Sequence, residues 1–168
     1  MIMNMKQTLW LGTAGLVATF FTGSLVAQAK TLPKSYRGDW YGYVGSEKVG
    51  HVKTYYAIKL RLTSKRMDYN FLQTTQANLS QLKWQWGEKS LATYQRRTNK
   101  HHQTYYVLSS QAYQDDLDRL QLKTVKRNGK NTQALHWWGD ADSVYAFRQP
   151  QRAYAWGWDF EDYIPTDE

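Results

Sequence analysis

The side chains able to do chemistry in this chain are few, and their spacing argues against catalysis. There are four histidines: His51, His101, His102 and His136. His101 and His102 are adjacent, so on a strand they face opposite ways. With Lys100 beside them they read as a solvated turn, not a zinc site. His136 sits next to Trp137 and Trp138 and reads as a surface or pocket-edge residue. No His-Glu-x-x-His spacing occurs, and cysteine is absent. The acids cluster as Asp115, Asp116 and Asp118, without the Asp-x-Asp-x-Asp-Gly order and distal Glu of a calcium loop. Asp140 and Asp142 flank a further turn. No serine lies in a Gly-x-Ser-x-Gly elbow, and no glycine-rich loop offers to cradle a phosphate. A pair of carboxylates brought together by the fold, as in a glycosidase, is the one catalytic arrangement left open. The expectation is a protein that is not an enzyme, with no cofactor and no metal.

Binding chemistry is better represented. Arg96 and Arg97 sit with Lys100 at one turn, and Lys123, Lys126, Arg127 and Lys130 surround Asn128-Gly129. Cations interleaved with aromatic rings suit an anionic polymer, and rings stack on sugars. Tryptophans come in close pairs, Trp84 and Trp86, Trp137 and Trp138, Trp156 and Trp158. At least one of each pair should face away from a core. Tyr43, Trp137, Trp138 and Trp156 are the candidate ligand contacts. The net charge is +8, although the last ten residues, DFEDYIPTDE, hold five acids and no base. Expected partners are an anionic cell-wall polymer, or a small apolar molecule or envelope glycan held by the aromatic residues. Nucleic acid is not expected, and the chain should be a monomer.

The elements that must position these residues begin after a leader. Lys6, the apolar run TLWLGTAGLVATFFTG and Ala27-Gln28-Ala29 have the three parts of a secretory signal. The run is shorter than the roughly 20 residues a spanning helix needs. Residues 1–29 are therefore read as a signal peptide cut before Lys30. The product is expected to be secreted, loosely bound to the cell surface at most, with no transmembrane or lipid anchor. Prolines occur only at Pro33, Pro150 and Pro165, so nothing between 34 and 149 interrupts strand pairing. That brackets one β-domain over 30–150, followed by an aromatic and acidic segment, 151–168.

Within the brackets, apolar and polar residues alternate. Trp40, Gly42 and Val44 fall on one face of 37–44. Tyr56, Ile58, Leu60 and Leu62 do so in 55–62, and Met67, Tyr69 and Phe71 in 66–72. Segments 91–97, 103–109, the runs on either side of Asn128-Gly129, and 143–148 continue the pattern. Residues 74–86 are ambiguous between a loop with a short strand and a helical turn. Aromatic content is high, with 8 Trp, 13 Tyr and 5 Phe, which favours strands. The fold class predicted is all-β, an antiparallel up-and-down barrel of about eight strands, closed because open edges invite aggregation.

The run RGDWYGY resembles the lipocalin and calycin group, whose first strand carries Gly-x-Trp, matched by Gly38 and Trp40. The resemblance implies an arginine after the last strand that packs across the tryptophan, and Arg148 stands where it should. Gly38, Trp40 and Arg148 are thus expected to close the barrel. The group's middle motif, Thr-Asp-Tyr, is missing. Residues 33–41 also resemble the Pro-Lys-x-Tyr/Phe-Arg-Gly-x-Trp-Tyr start of small secreted proteins of lactic acid bacteria, a likeness that implies no particular activity.

Overall fold

A computed structural model of the chain describes residues 31–110, 118–139 and 143–153. A single 3-10 turn, Lys34–Tyr36, leads into eight strands: β1 (Gly38–Val49), β2 (Val52–Leu62), β3 (Arg66–Thr74), β4 (Lys83–Thr98), β5 (Thr104–Ser110), β6 (Asp118–Arg127), β7 (Lys130–Trp138) and β8 (Ser143–Ala146). They form one antiparallel sheet in chain order. Alternation dictates this outcome. Every second side chain of a strand points to the same face, so one apolar face forces one register. Trp40, Leu60 and Tyr69 accordingly lie side by side across β1, β2 and β3, and Leu120 lies opposite Trp137. These inner-face residues are buried in one core with Phe71, Tyr94 and Tyr106.

The core is built from rings. Tyr36 meets Tyr106 edge-on at 4.9 Å between centroids, and Phe71 stacks on Tyr56 at 5.5 Å and on Trp86 at 5.8 Å. Offset and edge-on pairs of this kind add to area burial. The turns follow local chemistry. Asn128 and Gly129 both take positive φ, 46° and 76°, between the paired residues Arg127 and Lys130. That is the two-residue turn whose twist suits a hairpin.

The expected closed barrel is not formed. The edge strands touch at one bridge, where Tyr41 N–H donates to Phe147 O (2.7 Å) and Phe147 N–H donates to Tyr41 O (2.9 Å). β8 is only four residues long and cannot ladder along the twelve residues of β1. Pro150, which lacks an N–H, soon follows it. The ambiguous stretch resolves into a loop, 75–82, and the start of the long strand β4. The leader, residues 1–29, and most of the 151–168 segment fall outside the described residues. No helix among the described residues is long and apolar enough to cross a membrane.

Candidate functional site

Gly38, Trp40 and Arg148 come together at the seam between β1 and β8. The Arg148 guanidinium lies 3.6 Å from the centre of the Trp40 ring. Its Nη1 donates to Arg37 O (2.8 Å) and its Nη2 to Ser35 O (2.8 Å). Trp40 is 0% exposed, and its indole N–H donates to Tyr36 O at 2.7 Å. Gly38 has φ +103°, and a Cβ there would stand 2.9 Å from Arg148 Nη1. Only glycine suits both constraints. In a sheet that is not a closed barrel, the trio acts as a clamp fastening the 3-10 turn and β1 to the chain leaving β8.

The cations gather by topology. In a meander every second turn falls at the same end of the sheet. The 3-10 turn, the β2–β3 turn, the β4–β5 tip and the β6–β7 tip share one end. Residues 34–37, 63–66, 96–102 and 126–130 of these turns hold ten Lys or Arg and no Asp or Glu. Arg96, Arg97, Lys126 and Lys130 are exposed there, and Arg127 is half-buried, its guanidinium 5.8 Å from the Phe147 ring. Lys123 does not join them. It lies mid-strand, 6.0 Å from the Tyr145 ring centre. His101 and His102 are exposed on the β4–β5 tip. The Asn99 side chain shapes that tip, Oδ1 accepting from the His101 and Gln103 N–H groups. Asp39 and Asp68 lie further along the strands, engaged with Lys59, Arg61 and Arg66.

The expected ligand contacts separate. Trp137 occupies an inner-face position and is buried, edge-on to Tyr69 at 6.2 Å. It packs in the core because β7 runs in phase with β6's inner Leu120. Trp138 points to the outer face and stacks on His136 at 4.5 Å, and Tyr145 stacks on His136 at 4.7 Å. Tyr43 is half-buried on the outer face of β1. Trp156 lies outside the described residues, as do Asp115, Asp116, Asp140 and Asp142.

Among the described residues, His136 makes a contact with a hydrolase flavour. Its Nε2 is 2.7 Å from Ser143 Oγ. Its buried Nδ1 has no hydrogen-bond partner among the described residues. Burial, and then nearby Lys123, push its pKa down to about 4. A base so weak is poorly suited to activate a serine at neutral pH. Among the described residues no three His, Asp or Glu side chains gather as a metal site.

One feature escaped the sequence reading. The outer face of β1–β4 and the 75–82 loop enclose an open groove of about 620 Å³. Its floor is laid in cross-strand rows: Tyr41, Lys59 and Asn70 in one, Arg61, Asp68 and Lys89 in the next. Trp84 forms one side and is 61% exposed. A bulge at Gln85 puts it there. Trp86 pairs with inner Phe71 while Trp84 pairs with outer Leu72. The opposing wall is pinned: Thr74 Oγ1 donates to Ser80 O (2.7 Å), and Ser80 N–H donates to Asn78 Oδ1 (3.0 Å). Leu79 and Gln81 take φ of 58° and 56°, sparsely populated for such residues. The fold and these surfaces define an all-β chain with one strongly basic end and a polar, tryptophan-flanked groove. No protein-family profile, curated protein or solved structure matches the chain.

Proposed function

We propose that this chain is a secreted, non-catalytic binding protein held to an anionic polymer of the cell envelope by the basic end of its sheet. The observation that carries the reading is the convergence of ten cations and no acids on the four segments at that end. A repeating anion meets several of them at once, and multiple weak contacts add as avidity. The inner face is packed with aromatic side chains, which favours a polymer outside the sheet over a small apolar guest within it. The signal-like residues 1–29 support export, and the Gly38–Trp40–Arg148 contact supports the lipocalin-like reading of the seam.

The test compares two triple variants. R96E/R97E/K130E reverses charge at the basic end. K48E/K53E/K83E makes the same change in net charge toward the opposite end. Both are measured for binding to isolated cell walls and to walls stripped of phosphate polymer. Only the first should lose binding, and wild-type protein should come off intact walls at high salt. Equal loss in both variants, or retention at high salt, refutes the proposal.

A further inference from the structure

We infer that the outer-face groove is a second binding site, for a sugar ring carrying a carboxylate or phosphate. Three observations converge on it. The groove, about 620 Å³, lies within the roughly 300–1,000 Å³ common for small-ligand sites. Trp84, 61% exposed, is its aromatic flank, a large ring set beside the polar side chains of Lys59, Asn70 and Lys89. Its wall is a loop held by side-chain hydrogen bonds with two left-handed non-glycine residues, the kind of backbone strain that clusters at ligand sites.

The lining selects the ligand. A wholly apolar guest would strip water from Lys59, Arg61, Asp68 and Lys89 without replacing their contacts, which is costly. A sugar offers hydroxyls to Asn70, Ser80 and Gln81, and a C–H face to the Trp84 ring. The charges add a sign. Lys59 and Arg61 are both tied to Asp39, at 2.9 and 3.5 Å. Asp68 lies 3.9 Å from Arg66, outside the groove lining. Lys89, exposed and across from Asp68 in the register, makes no ion pair among the described residues, and it is the cation of the lining left to meet an anion. The cavity therefore favours an anionic ring over a neutral one. This site is separate from the basic end and does not depend on it.

Calorimetry with the whole protein tests the assignment, using three probes: a uronic-acid oligosaccharide, a hexose phosphate and a neutral glucose oligosaccharide. At least one acidic probe should bind more tightly than the neutral one. W84A should weaken it about tenfold or more, as expected for loss of one stacking ring. K89Q should bring acidic and neutral sugars to the same affinity. R96E/R97E/K130E should leave sugar binding intact, so failure of the groove and failure of the basic end are read separately. Since Trp84 and Lys89 are exposed, both variants should keep the wild-type melting temperature. Absence of binding to all three probes, equal binding of acidic and neutral sugars, or unchanged affinity in W84A would overturn the inference.

Discussion

At the scale of single residues, Arg148 carries more of the structure than its place after the last strand suggests. Its guanidinium covers the Trp40 ring and its fork reaches backbone carbonyls 111 and 113 positions away in the chain. A partly desolvated cation–π contact and charge-assisted hydrogen bonds together suggest a loss of about 2–3 kcal/mol for Arg148→Ala. Arg148→Lys should recover only part, since an ammonium cannot present the planar fork. Denaturant midpoints of the two variants check this, and an R148A midpoint equal to wild type would remove the clamp. His136 gives a pH test. Its pKa falls from an ordinary 6.5 to about 4 in the fold, mainly through burial. The folded state thus resists a proton that the unfolded chain accepts. Stability present above pH 6.5 is lost progressively as pH falls toward about 4. His136→Phe keeps a ring between Trp138 and Tyr145 and should flatten that part of the melting-temperature profile. An unchanged slope between pH 6.5 and 4 would contradict it.

At the scale of elements, glycines separate two kinds of constraint. Gly129 takes positive φ in a hairpin turn with open space around it. Gly129→Ala should cost about 1 kcal/mol, from backbone conformation alone. Gly87 has ordinary strand geometry, but its missing side chain lets β3 and β4 approach. Gly87→Ala should cost more, because the atom it would hit is backbone and cannot swing aside; equal losses in urea unfolding would refute the distinction. These elements also show what was legible beforehand. Strands β1 to β3 and the Asn128-Gly129 hairpin follow from alternation and turn chemistry, both local. Gly38, Trp40 and Arg148 were legible as a set through a resemblance, whereas their geometry required the fold. The start of β4 was hidden. Its bulge at Gln85 sends Trp84 and Trp86 to opposite faces although they stand two apart, and polar Ser90 takes an inner position. A period-two reading has no means of locating an unpaired residue, so the groove beside Trp84 could not be foreseen. Closure failed as an expectation for a related reason. It depends on how far β8 continues, and no local pattern sets that length against β1.

At the scale of the whole molecule, the meander turns a dispersed charge pattern into a polarised one. The basic turns are separated along the chain by pairs of strands, and two antiparallel strands return the chain to the end it left. Arg96, Arg97 and Lys130 therefore sit at one end with Lys34 and Lys65. A polyanion bound there releases counterions in proportion to the cations that engage it, so affinity should fall linearly with salt on logarithmic axes. The slope counts contacts. Taking Arg96 and Arg97 to Gln should reduce it by about 1–2 for a linear phosphate polymer, on the scale of roughly 0.7–0.9 per neutralised charge. Lys48→Gln with Lys53→Gln removes as much charge near the β1–β2 turn, at the opposite end, and should leave the slope unchanged. Titrating a soluble polyol phosphate at several salt concentrations measures both. If the two double variants lower the slope alike, net charge governs the interaction; a difference confined to the tip arginines means that the topology of the sheet creates the site.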